Sequence, residues 1–418
     1  MSSLLFLLAA VGTYLPIAHR TRDWFAPCGL LCLFWFAAAA LADVASLKDL
    51  TLQQPWEFDS YIAIYMAGLS VFSVGWLMGR KRRISPITVE PSAVFRRALD
   101  VLIVLSLIAV ATRLYMFGFS IEKLLLSFGG VDLKDELSDA IPGVHYFEIL
   151  TPYLSLCAIF ELSAAASLST VRRRWLQAYV IYTVVLYCVI LSASRGTLLI
   201  VLTGAMFLYV QNGKLRLTRI VMVVAGTIVL MSALSFARMS SDTVSNSFLG
   251  EQAFQIFLSP IYTYVAFNFE NFNKLVRADL EPTYLFYSLK AFLWPLLKAD
   301  YTADTMRLTN FDTLFFNART FIYPFYHDLG LVGCLLYPSA IAVVLASLHN
   351  SLNRRPSNTI VLMALQKPVW FAFFGNYFFG ELVIVIPLLA LFLLGTLYGR
   401  RRRRRSSQRA LANDTAHP

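Results

Sequence analysis

Apolar runs of bilayer length recur along almost the whole of this 418-residue chain, and no other feature limits its fold as much. A helix crossing a hydrocarbon core ~30 Å thick needs ~20 mostly apolar residues, and only a backbone that satisfies its own hydrogen bonds tolerates that medium. The runs are continuous rather than alternating, which suits helices and not barrel strands. With 58% hydrophobic residues, the expected fold is all-α: a polytopic helical membrane protein, one integral domain over 1–418. Spans are predicted at roughly 3–18, 25–42, 60–79, 98–117, 146–169, 176–193, 196–211, 219–236, 325–348, 359–378 and 380–399. The N-terminal run lacks a basic leader and a small-residue cleavage site, and reads as a retained first span.

Charge then orients the spans. The net charge of +11 is spread in short clusters between apolar runs, which is the pattern of topology signals rather than of nucleic-acid binding. Arg20 and Arg22, Arg80 to Arg83 with Arg96 and Arg97, Arg172 to Arg174, Lys214 with Arg216, and Arg354 with Arg355 fall in alternate loops. Those loops are expected in the cytoplasm, with the basic tail 400–418 facing anionic lipid. The opposite loops, such as 43–59 and 132–139, are acidic or neutral. About eleven spans satisfy every loop, with the N-terminus periplasmic and the C-terminus cytoplasmic. The long periplasmic segment 237–324 carries two semi-apolar stretches, near 252–269 and 283–298. They predict re-entrant or interfacial helices, or a hairpin that raises the count to about 13 without changing parity. No soluble domain is expected. All five cysteines lie inside apolar runs, so neither a disulfide framework nor a metal spacing is predicted.

The informative residues are charges on the wrong face. The run 176–211 is about twice a membrane thickness and must fold back once, which puts Ser194-Arg195-Gly196 at a tight outer hairpin tip. Arg195 there, with Gly196 and Thr197 opening the next helix, suits a phosphate or pyrophosphate. Arg238 and Arg319 also flank outer boundaries, where a guanidinium needs an anionic or carbonyl partner. In the stretch from Asn317 to Gly333, Pro324 predicts a helix start and Asp328 sits a turn inside a span. Tyr323 and Tyr326 suit sugar contacts or an aromatic belt, and His327 alone is a weak signal. Gly330 and Gly333 would let another helix approach closely. The stretch from Ser259 to Phe272, with Asn268 and Glu270 among aromatics, suits sugar stacking or an interfacial helix.

Three of these stretches in order carry a resemblance: Ser194-Arg195-Gly196, then Pro260 with Ala266-Phe267-Asn268, then Asn317 to Gly333. Over roughly 190–335 the chain resembles the Wzy-type O-antigen or oligosaccharide repeat-unit polymerases of bacterial inner membranes. It departs from their pattern in having Asp-Leu-Gly where Asp-Phe-Gly is usual, and Ala318-Arg319 where a small or β-branched residue and Tyr are common. The resemblance implies a GT-C-like architecture and a periplasmic, metal-independent glycosyl transfer with no cofactor. A growing glycan would move from undecaprenyl pyrophosphate onto another lipid-linked repeat unit. The implied partners are that lipid-linked oligosaccharide, membrane lipids, a chain-length regulator and a flippase, and no nucleic acid. Pyrophosphate is already a good leaving group, so the help it needs is electrostatic, from Arg195 and Arg238 first and then Arg319. Asp328 first and Glu270 second are the candidate general bases, with Asn268, Asn317, Tyr323 and Tyr326 as candidate substrate contacts. A ligase that moves finished glycan from the carrier is the nearest rival. A flippase or transporter is the other, but it would predict internal repeats and charges near span midpoints.

Overall fold

The computed structural model describes residues 2–44, 53–81, 91–116, 144–165, 168–191, 195–213, 226, 253–285, 287–289, 319–352, 355–375, 378 and 382–398. Thirteen helices and no strand occur among these described residues. They are α1 (Ser2–Thr21), α2 (Pro27–Ala42), α3 (Phe58–Met78), α4 (Ala93–Met116), α5 (Val144–Ala164) and α6 (Thr170–Ile181), which continues as a π-helix (Tyr182–Leu191). After these come α7 (Arg195–Gln211), α8 (Ala253–Arg277), α9 (Tyr323–Asn350), α10 (Pro356–Ala364), α11 (Gln366–Trp370) and α12 (Leu382–Tyr398). Helices α1, α3, α5 and α9 are long and apolar enough to cross a membrane, and α2, α7 and α12 are shorter apolar helices. Apart from residue 226, the predicted span 219–236 lies outside the described residues, as do Arg238, Asn317, the tail 400–418 and the side chain of Arg195.

Sequence chemistry sets many of the boundaries. Proline stands in the first turn of α2, α9 and α10, where its missing N–H leaves no bond unmade. Ser169 caps α6 by accepting from the Arg172 N–H at 3.3 Å. Leu4, Leu8, Val101, Ile108 and Leu393 stand more than half exposed. Ridges of this kind on apolar helices suit a lipid surface and not water. One expectation fails: 359–378 is not a single helix. It breaks at Leu365 between α10 and α11, and α11 ends at Trp370. Pro368 has no N–H for the Ala364 carbonyl, and the Gln366 amide turns back to the Leu362 carbonyl at 2.9 Å.

Polar side chains tie the helix ends together, and they fall at two opposite ends of the bundle. At the basic end, Asp23 in the α1–α2 turn accepts from Gln211 of α7 at 2.8 Å and pairs with His349 of α9 at 2.8 Å. Beside it, Arg172 of α6 holds both oxygens of Asp100 on α4 at 2.6 Å and those of Glu161 on α5 at 3.1 and 2.8 Å. Arg20 donates to the Gly79 carbonyl and Asn350 to that of Met78. At the opposite end, Ser3 donates to the Asp43 carbonyl. There α8 runs along the segment before α3. Tyr262 accepts from Gln53, Asn273 accepts from the Glu57 N–H at 2.7 Å and the Ser60 hydroxyl at 2.9 Å, and Arg277 pairs with Glu57 at 2.8 Å. Asn273 thus caps α3 from another helix. Phe269 of α8 packs 5.2 Å from Trp35 and 5.5 Å from Trp56.

Helix α9, like α1 and α3, reaches both ends. It is interrupted near its start, where Leu329 (φ −139°, ψ 16°) and Gly330 (φ 58°, ψ −141°) leave helical geometry. Gly330 is needed for its backbone conformation, since nothing crowds the place a Cβ would occupy. At Gly333 a Cβ would collide with the Phe325 carbonyl, so the first turn of α9 folds down over its own continuation. Neither glycine serves the close approach of another helix expected from the sequence.

Candidate functional site

The break in α9 sets a short turn, Tyr323–Asp328, at the end opposite the basic loops, and a polar cluster is built around it. Asp328 is fully buried. Its Oδ1 accepts from the Thr283 hydroxyl at 2.5 Å and the Tyr287 N–H at 2.8 Å, and its Oδ2 from the Ser288 N–H at 2.8 Å. The two N–H groups belong to the first turn of a helical segment, 287–289, so the carboxylate caps that segment from outside. The backbone adds two rungs, from Thr283 N–H to the His327 carbonyl and from Tyr284 N–H to that of Asp328, both at 3.1 Å. Tyr284 and Leu285 adopt positive φ, 46° and 75°, as the chain turns into this cap. Three donors on two oxygens hold the Asp328 carboxylate in one orientation.

Arg319, Tyr323, Tyr287 and His327 surround the cap. Arg319 donates through Nη1 to the Tyr287 hydroxyl and lies over the Tyr323 ring, 4.8 Å from its centroid. Tyr287 stacks on the His327 imidazole at 5.0 Å and an interplanar angle of 22°. The guanidinium is thereby aimed by a hydroxyl and a ring face. His327 Nδ1 lies 3.1 Å from the Thr283 oxygen. Its Nε2 and the Thr320 hydroxyl are buried atoms without a hydrogen-bond partner, an uncommon state for polar atoms in a folded interior.

Of the residues named from sequence, Arg319, Tyr323 and Asp328 come together here. Tyr326 turns toward α8, with its ring edge-on to Phe272 at 5.5 Å. Asn268 and Glu270 are buried in α8 on either side of Phe269. Arg195 is the first residue of α7, and Thr197 lines a separate cavity of about 200 Å³ below it. Tyr153, Tyr187 and Lys367 line the same cavity, which shares no residue with the Asp328 cluster. Tyr187 reaches Glu148 of α5 at 3.5 Å, and Glu148 is paired with Arg113 of α4. Among the described residues no three His, Cys, Asp or Glu side chains gather as a metal-ligand group.

The sequence reading missed Thr283, Tyr287, Lys367 and the Arg113–Glu148 pair. The last two carried a usable signal, being charges inside or at the edge of apolar runs. Thr283 and Tyr287 carried none, since their partner is 40 or more residues away. No protein-family model, no curated protein and no solved structure matches the chain.

Proposed function

We infer that the protein polymerises undecaprenyl-pyrophosphate-linked oligosaccharide repeat units at the periplasmic face of a bacterial inner membrane. The observation that carries this reading is the cluster at the end opposite the basic loops. An aimed guanidinium, two tyrosine rings and buried proton-accepting groups are gathered there by the break in α9. In this reading about eleven spans hold the basic loops in the cytoplasm, so the cluster and the start of α7 face outward. Arg319 and Arg195, with Arg238, bind the pyrophosphate as the glycosidic bond to it breaks. Tyr323, Tyr326, Asn268 and Asn317 contact the sugars. Asp328, Glu270 and His327 are the groups at that end able to accept the proton of the attacking hydroxyl. The order of the three sequence stretches supports polymerase over ligase.

Deleting the gene and resolving surface polysaccharide by size tests this. Loss of a polymerase leaves single repeat units on the final acceptor. Long polymer stranded on the lipid carrier would instead make the protein a ligase, and single units trapped on the inner leaflet a flippase. Arg319→Ala is expected to remove the long chains while leaving single-unit product.

A further inference from the structure

Within the Asp328 cluster the hydrogen bonds fix which histidine nitrogen carries the proton. Thr283 has one hydroxyl proton and three neighbours that could receive it. Asp328 Oδ1 is nearest at 2.5 Å and can only accept as a carboxylate. The His327 carbonyl is a poorer acceptor at 3.4 Å. Once that proton points at Asp328, the Thr283 oxygen 3.1 Å from His327 Nδ1 can only accept from it. Nδ1 therefore bears the hydrogen, and in the neutral ring the lone pair is on Nε2. Asp328, Thr283 and His327 form a relay that ends in that lone pair.

The rest of the cluster holds the ring in place. Tyr287 stacks on one face, and its backbone N–H is bound to the same carboxylate that orients Thr283. The His327 carbonyl is held by the Thr283 N–H. A fixed ring with an unpartnered, buried Nε2 is the arrangement a general base requires, and a purely structural histidine would have that nitrogen satisfied. Arg319, bound to the hydroxyl of the stacking Tyr287, puts an anion-holding group beside the base.

We propose that His327, through Nε2, is the catalytic base of this site and that Asp328 and Thr283 are positioning residues that set its tautomer. The proposal rests on the glycosyl-transfer reading. The acceptor hydroxyl loses its proton to Nε2, and the electron pair of that O–H bond forms the new C–O bond at the anomeric carbon of the donor sugar. The bond from that carbon to pyrophosphate breaks with its pair going to the leaving oxygen, whose charge faces Arg319. The imidazolium then releases its proton to water.

Two measurements on the full-length protein in nanodiscs test this. The first is ¹⁵N spectroscopy of histidine-labelled protein, with His327 among five histidines and identified by its loss in His327→Asn. The expected neutral form has hydrogen on Nδ1, and Thr283→Val should abolish that preference. Hydrogen on Nε2 in the wild type overturns the proposal whether or not any variant folds. The second is chain extension, with lipid-linked oligosaccharide extracted from the deletion strain as substrate. In His327→Asn the amide nitrogen overlays Nδ1 and keeps the bond to Thr283. Turnover should fall about 10²–10⁴-fold with KM and melting temperature near wild type. Wild-type turnover by His327→Asn defeats the base assignment alone. A wild-type protein that extends nothing defeats the glycosyl-transfer reading itself, and the spectrum still decides the tautomer.

Discussion

Each end of the bundle has a histidine held by an aspartate, and the two pairs are completed differently. At the basic end His349 Nε2 meets Asp23 directly at 2.8 Å, and the other donors to Asp23 are the Gln211 amide and the Phe25 N–H. That carboxylate joins the α1–α2 turn, α7 and α9. At the opposite end Asp328 reaches His327 only through Thr283, and the far ring nitrogen has no partner. The first arrangement is closed and serves to hold helices. The second spends its carboxylate on orientation and leaves one nitrogen for something the protein does not itself supply. Burial does not distinguish the two pairs, since both histidines are buried; their hydrogen-bond partners do.

If that contrast is sound, substitutions at the basic end should cost stability first, and the largest effect should come from Arg172. Its removal leaves Glu161, which is fully buried, with only the half-exposed Arg96 at 3.4 Å. Arg172→Ala should destabilise by about 3–5 kcal/mol in a detergent melt, and pairing it with Glu161→Leu should recover much of the loss. An unchanged melt would undo the idea of a closed structural end.

Asp23 comes next. Burial pushes its carboxyl upward, but the hydrogen bonds from His349, Gln211 and the Phe25 N–H outweigh that and hold it below the usual carboxylate range. Its stabilising share is therefore complete above the unfolded value of about 4 and disappears as pH falls through the lower folded value. Wild-type stability should show this acid step, and Asp23→Asn should lack it while losing about 2 kcal/mol near neutral pH.

Gly330→Ala sharpens the other half of the comparison. The site has room for a methyl group but the wrong φ for one, so about 1–3 kcal/mol should be lost. Because the strain falls next to Asp328, turnover should suffer along with the melt. Smaller still, Asn273→Ala removes the cap of α3 and should cost about 1 kcal/mol. Arg277→Ala breaks a half-exposed pair with Glu57 and should change the melt by less than about 1 kcal/mol.

The comparison also shows what a sequence can carry. Helix positions followed from apolar runs and proline starts because these act locally, and Pro324 in the first turn of α9 was readable for that reason. The closed pair at the basic end was not. Asp23 looks like an ordinary turn residue, and its partners stand 188 and 326 positions away. At the opposite end Asp328 and Arg319 drew attention as charges beside a span, but the orientation of Asp328 depends on Thr283, Tyr287 and Ser288, which look like any loop. The Gly-Leu-Val-Gly spacing was read as helix packing when it encodes a bend, because φ is not visible in a residue name. The broken tenth span failed similarly. Pro368 was in plain view, but mean hydropathy outweighed it.

The interruption at Leu329–Gly330 has a further consequence for how α9 can vary. In an unbroken helix every residue is locked to every other by about 100° of rotation per position, so aiming His349 at Asp23 would also dictate where Asp328 and His327 point. The non-helical link cancels that phase relation. The first turn and the long segment that follows can each settle into their own rotational register, and a one-residue insertion between Gly333 and His349 would swing His349 off Asp23 while leaving the Thr283 contacts aligned. One helix thus carries two independently indexed ends.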